Sequence, residues 1–490
     1  MNVIQRIDYA AVAPVLVVAV AAVALLLAGA FELGRRWLGW LTALALAIGL
    51  AAVFALVPGD VRRTFCVPET LRDGGPASCS YVVDHFTLLF QGIVLAAAIV
   101  VVLMSLSELE AADVPAGEYY FLLLSAVTGV LTLVAARDLV LLFVSLETLS
   151  LPVFALVALK RYDGRATEAA VKLFLVSVVS AAVLLFGTSL VYGTTGAMHF
   201  DRIAVASVHG PLQPVLTAGV VMVVAGFAFK VAAVPFHFWT PDVYQGAPVP
   251  IAAFLSVVSK AGGFAGIALV VALAFPTQDG AWGPLLAVLA AMTMTVGNVM
   301  ALRQTQAVRL LAWSSVAQSG YMLAPLAVGT GHIAQGIAAT AGYLAFYAVM
   351  NLGAFAVVHA FTHASGRDTL SDYAGLVRRD APSGLALAFF LICLAGLPPG
   401  IMGLIAKVMV FQAVATAPVL WLAAVMAVNV VIGLYYYLVW AVRLFAPAPG
   451  TGPLPRPGLP SRLALGVTTV GAVLLSVVPQ VLLQAVFPAG

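Results

Sequence analysis

Charge is scarce in this sequence. Only 9% of its 490 residues are Asp, Glu, Lys or Arg, 63% are hydrophobic, and the mean hydropathy is +1.09. That balance excludes a soluble globular domain. Cysteine is nearly absent, and three residues cannot supply a cluster-binding set. A Gly-rich nucleotide loop, a flavin motif and a haem-ligand pair are missing as well, so no cofactor is expected in this chain. Seven histidines form no metal motif; His359 and His363, four apart at the end of an apolar run, read as a helix-end pair near water. Lysine is the rarest charge, with five residues against eighteen arginines.

What is present is a series of long apolar runs. A span needs about 20 apolar residues to cross roughly 30 Å of hydrocarbon. Fourteen such runs can be read between clusters of charge, Pro and Gly, at 10–30, 38–57, 82–106, 118–136, 138–159, 166–192, 213–235, 250–275, 282–302, 307–328, 335–362, 384–415, 418–445 and 462–486. They lack the short alternating segments of a barrel, so an all-α polytopic membrane protein is expected, with every residue in one membrane domain. Ala28-Gly29-Ala30 looks like a signal-peptidase site, but the apolar run before it is long and Arg35-Arg36 follows, so an uncleaved first helix is expected.

Basic residues orient the spans. One set of loops carries Arg35, Arg36, Lys160, Arg161, Arg165, Arg303, Arg309, Arg367, Arg378, Arg379, Arg443, Arg456 and Arg462; the other, with both termini, carries Arg6, Arg62, Arg63, Arg72, Arg137 and Arg202. Thirteen against six places the first set in the cytoplasm and both termini outside. Cys66 and Cys79 fall in the one long outside loop, where a disulfide is a candidate and two free thiols the alternative; closing a loop of about 13 residues is worth roughly 3 kcal/mol in the chain-entropy model. The Pro-rich stretch 446–461 reads as an extended cytoplasmic connector.

Lys230, Lys260 and Lys407 lie inside apolar runs that hold no arginine. Arginine stays protonated, whereas a desolvated lysine can release its proton, so a buried lysine in a span is a proton-relay candidate. Among the acidic residues only Glu147 is central to a run, and it needs a partner, for which Lys230 is the candidate; a neutral Glu147 tying helices together is the alternative. Pro235 follows Lys230 and breaks the seventh span, with His237 beyond the break toward the cytoplasm; Lys230 snorkelling to the interface is the competing account. Lys407 follows Gly396-Leu397-Pro398-Pro399-Gly400, which breaks the twelfth. Irregular backbone at membrane depth is tolerated where it lines a polar cavity or is buried in protein. Lys260 lies about ten residues, roughly 15 Å, into the eighth span, beyond easy snorkelling. Lys172 is near a span end and could be solvated.

Broken spans seven and twelve are five apart, and five is odd, so two consecutive five-helix units insert with opposite topology. Inverted repeats over 118–275 (helices 4–8) and 282–445 (helices 9–13) are therefore expected, after helices 1–3 at 10–106 and before helix 14 at 462–486.

Leu146-Glu147-Thr148-Leu149-Ser150-Leu151-Pro152, and Lys230 to Pro250 with its Pro235-Phe236-His237-Phe238-Trp239-Thr240-Pro241-Asp242 core, resemble the antiporter-like proton-pumping subunits of respiratory complex I (NADH-quinone oxidoreductase) and their relatives in Mrp-type cation/proton antiporters. Ser259-Lys260 and the Gly-Leu-Pro-Pro-Gly break support it. The resemblance implies a proton channel in the bacterial inner (plasma) membrane in which Glu147 pairs with Lys230, Lys260 relays and Lys407 faces the outlet. It also implies partners: membrane and peripheral subunits that hold FMN, iron–sulfur clusters and quinone, the lipid bilayer and protons, with no nucleic acid. A lysine at 407, where M-type members carry Glu, and a chain that stops after its fourteenth span, where L-type members continue, favour the N-type branch. A subunit of an Mrp-type sodium/proton antiporter and a non-pumping structural subunit are the other readings.

Overall fold

The computed structural model describes residues 7–68, 77–111, 114–159, 163–447 and 457–487. Arg6, Arg72, Lys160, Arg161, Arg456 and much of the Pro-rich connector lie outside them.

The chain opens with helices α1 (Tyr9–Ala30) and α2 (Arg35–Leu56), an outer hairpin of β1 (Arg62–Cys66) and β2 (Cys79–Val83), and α3 (His85–Ala111). Then come α4 (Ala116–Leu133), α5 (Leu139–Val157), α6 (Gly164–Thr195), short α7 (Phe200–Val205), α8 (Gln213–Lys230), α9 (Trp239–Gly246), α10 (Val249–Phe254) and α11 (Lys260–Leu269). The remainder comprises α12 (Asp279–Ala301), α13 (Ala307–Leu323), α14 (Ile333–Ser365), α15 (Leu376–Arg379), α16 (Ala381–Ala395), α17 (Ile401–Ala415), α18 (Leu420–Arg443), α19 (Leu459–Val477) and α20 (Gln480–Val486). Twelve described helical segments are long and apolar enough to cross a membrane, and α16 and α17 are shorter apolar helices of 15 residues each. The protein is thus a polytopic helical membrane protein.

The segment Val249–Ala274, built of α10, a π-helical stretch Leu255–Ser259, α11 and a second π-helical stretch Val270–Ala274, is almost wholly buried, as is α14. Around this centre α4 lies along α5, α6 along α8 and α12 along α13. On α1, α2, α6 and α18 every third or fourth residue is a large exposed apolar side chain, as in Val171, Leu175, Val178 and Val179, the pattern of a helix facing lipid or another apolar surface.

The helical fold carries one small outer hairpin: β1 and β2 pair antiparallel, Cys66 opposite Cys79, and the two cysteines are joined by a disulfide. β2 also occupies residues 82–83, which the apolar run had assigned to the third span; Val82 N–H bonds to Ala135 O there instead. The seventh span breaks just after Lys230, because a proline excludes the carbonyl of the residue four earlier, here Val231, from the helix. α8 therefore ends at Lys230, Ala232 turns with φ +58°, and α9 begins only at Trp239. α16 ends likewise at Ala395, four residues before Pro399, with Gly396 at φ +79° supplying the left-handed turn.

Candidate functional site, a row of buried lysines

Lys230 stands at the C-terminal end of α8, where unsatisfied carbonyls favour a cation. It is buried, and its Nζ donates to Ser150 Oγ at 2.9 Å. Ser150, one turn after Glu147 on α5, donates its own hydroxyl hydrogen bond to Leu146 O at 2.6 Å. The lysine stem rests on Gly263 of α11, where an added Cβ would sit 3.2 Å from Lys230 Cβ. Burial argues against snorkelling.

Glu147 is half-buried, and among the described residues it forms no ion pair within 4 Å. The expected Glu147–Lys230 contact is therefore not a salt bridge: Ser150 takes the lysine, and the two charges attract at a distance. The physical reason is that Glu147 lies at the bundle's margin while the Lys230 ammonium lies inside it.

Lys260 is fully buried and follows directly on the first π-helical stretch. Its three donors are all used: Nζ reaches Ser315 O at 2.6 Å, Ser315 Oγ at 2.7 Å and Ser319 Oγ at 2.8 Å, all on α13. Lys407, also buried, sits on α17 and donates to Ala395 O at 2.5 Å, a carbonyl exposed by the end of α16. The Tyr321 ring lies 6.0 Å from its Nζ. Between these two lysines runs a polar bridge. Gln318 donates to Tyr437 OH at 3.0 Å and accepts from Tyr343 OH, and Tyr343 stacks on Tyr321 at 6.4 Å.

Lys172 does not join the row. Its Nζ contacts Glu168 at 2.6 Å and Asp242 at 2.9 Å, and Asp242 also accepts from Arg309 at 3.0 Å, around a cavity of about 210 Å³ at one end of the bundle. Burial works against the charged Asp242, but the hydrogen bonds from Lys172 and Arg309 outweigh it and hold its carboxyl below the usual range. His237 is half-buried with its ring 5.3 Å from Trp313, and neither it nor exposed Pro235 hydrogen-bonds a lysine. Pro398 and Pro399 lie in the turn between α16 and α17. His359, expected near water, is instead buried between α3 and α19; only His363 is exposed.

Sequence reasoning missed Ser150, Ser315, Ser319, Gln318 and the tyrosines. The cluster Ser314-Ser315-Val316-Ala317-Gln318-Ser319, polar in the middle of a span, was the available signal. No group of three or more His, Cys, Asp or Glu among the described residues could hold a metal ion.

Fold and site together define a multi-pass helical membrane protein organised around buried lysines that are joined by hydroxyl and amide groups. Residues 136–433 match the family described as NADH:quinone oxidoreductase/Mrp antiporter, TM, and the chain belongs to that family. It is 51% identical to NADH-quinone oxidoreductase subunit N 2 of Streptomyces griseus, over 99% of this chain and 94% of that one. It is 36% identical to subunit N of Trichlorobacter lovleyi over 98% and 96%. Among solved structures, a chain of respiratory complex I from Thermus thermophilus superimposes with a TM-score of 0.78 at 33% identity, covering 96% of this chain and 99% of that one. A chain of the Mrp complex from Dietzia superimposes with a TM-score of 0.83 at 22% identity, covering 98% and 96%, and so shares the fold.

Proposed function

We propose that this chain is the N-type membrane subunit of a bacterial NADH:quinone oxidoreductase and carries protons across the inner membrane along Lys230, Lys260 and Lys407. The observation that carries this reading is the bonding of the three ammonium groups: among the described residues each is held only by neutral oxygens, with no carboxylate in contact. Nothing there locks the proton on, so each lysine can load and unload as its surroundings change. Glu147, near Lys230 but not bonded to it, adjusts that balance from the margin of the bundle. Electron transfer through FMN, iron–sulfur clusters and quinone belongs to neighbouring membrane and peripheral subunits, which supply the driving change.

In this reading the chain has fourteen spans, counting α13 and the α16–α17 pair with the twelve longer segments, and both termini face the periplasm. The spans divide into three N-terminal helices (10–106), two inverted five-helix repeats (118–275 and 282–445) and a last helix (462–486), with breaks in spans seven and twelve. The overall likeness to subunit N relatives favours this over an Mrp-type antiporter.

Lys230→Arg tests the role of the lysine, since arginine keeps the charge and cannot deprotonate. Proton pumping by the complex in membrane vesicles is expected to collapse; pumping at the wild-type level would reduce Lys230 to a structural cation. Glu147→Gln is expected to slow pumping, and intact pumping would leave that carboxylate a packing role.

A further inference from the structure

The lysine row leaves one buried polar series unused. Along α14 every fourth residue from Tyr343 to His363 is Tyr343, Tyr347, Asn351, Phe355, His359 and His363. Residues four apart lie on neighbouring turns of one helix face, so these side chains form a ladder that winds slowly round the helix.

The ladder begins at the surface and ends at Lys260. His363 is exposed, and its ring lies 5.9 Å from that of buried His359. His359 Nε2 meets Ser107 Oγ at 3.1 Å, its Nδ1 lies 3.6 Å from Glu108 Oε2, and Ser107 in turn meets Ser461 Oγ at 2.8 Å. Further in, Asn351 Nδ2 donates to Ser256 Oγ at 2.7 Å, one turn before Lys260. Among the described residues Asn351 Oδ1 is buried without a hydrogen-bond partner, and the Tyr347 hydroxyl lies beside that of Ser315, which accepts from Lys260. Buried polar atoms are nearly always hydrogen-bonded, so Asn351 Oδ1 marks a position for water between the histidines and Lys260. The one apolar rung is Phe355, fully buried with its ring 6.3 Å from that of Tyr244.

We propose that this ladder is the proton inlet to Lys260, and that Phe355 is the dry rung that gates it. The inference rests on the reading of Lys260 as a proton carrier. A proton taken up by His363 passes to His359, whose ring accepts at one nitrogen and releases at the other. Water bridging past Phe355 carries it to the site at Asn351 and on to Tyr347. Ser315 receives it there and gives its own hydroxyl proton to the lone pair of the neutral Lys260 amine. One proton enters, one ammonium forms, and every hydroxyl is restored.

Two measurements on the whole complex in membrane vesicles test this, with labelling read on this chain, whose own thiol background is low: Cys393 is buried and Cys66 and Cys79 are paired. In the first, a charged, water-borne thiol reagent is applied to either membrane face. His359→Cys is expected to react from the face bearing His363 and Asn351→Cys to be protected; combining Asn351→Cys with Phe355→Ala is expected to speed its reaction from that same face about tenfold or more. An unchanged rate, or reaction from the opposite face, overturns the inlet. In the second, His359→Gln, which can still bond Ser107 but cannot carry a proton, is expected to cut pumping about tenfold. Wild-type pumping in that variant, with Lys230→Arg inactive, rejects the ladder and keeps the lysine row. Wild-type pumping in both variants rejects the row itself.

Discussion

A lysine buried among hydroxyls behaves differently from one buried against a carboxylate, since removing a single neutral acceptor weakens the site without stranding an opposite charge. Ser315→Ala takes one of three acceptors from Lys260 and leaves Ser315 O and Ser319. The expected result is a folded complex, less stable by about 1 kcal/mol for the lost hydrogen bond, that pumps about tenfold more slowly because the hydroxyl that hands the proton to Lys260 is gone; pumping assays alongside thermal stability check it. The surface pair differs in kind. Asp242 is held below the ordinary carboxyl range, so its contribution to stability is full above that range and is lost as pH falls through its lowered value. The gap in thermal stability between wild type and Asp242→Asn should therefore be constant near neutrality and close only in strong acid. At this scale the lysines were legible because a cation inside an apolar run is rare. Their partners were not, because serines and tyrosines in spans are common and only the fold decides which of them face inward.

Helices and breaks were legible for a related reason, since apolar length and proline act locally. The position of each break also follows from a local rule, the residue four before the proline, and it ends α8 at Lys230. At the second break, Gly396 holds a left-handed turn, and a Cβ there would lie 2.8 Å from Lys407 Cδ. Gly396→Ala is expected to cost about 1–2 kcal/mol from backbone strain and to displace Lys407, lowering both melting temperature and pumping. The outer hairpin was hidden, because two five-residue strands beside long apolar runs leave little pattern. Replacing Cys66 and Cys79 together with Ser should lower stability by up to about 3 kcal/mol while proton pumping in the surviving complex is unchanged.

Over the whole molecule, polarity runs opposite to that of a soluble protein. The most polar helical faces, on α13 and α14, are buried, and the exposed faces of α1, α6 and α18 are apolar. Folding in a membrane permits this because lipid solvates the apolar outside, while every buried polar group must find a partner inside. The lysine row and the ladder on α14 meet at Lys260, the most enclosed cation among the described residues. A change there bears on the account as a whole. Lys260→Arg preserves the charge and the hydrogen-bonding capacity toward Ser315 and Ser319 but removes the ability to release a proton. Protons pumped per NADH oxidised, measured in membrane vesicles with the assembled complex, should fall to near zero in this variant; a ratio equal to wild type would contradict proton carriage by Lys260 and with it the row.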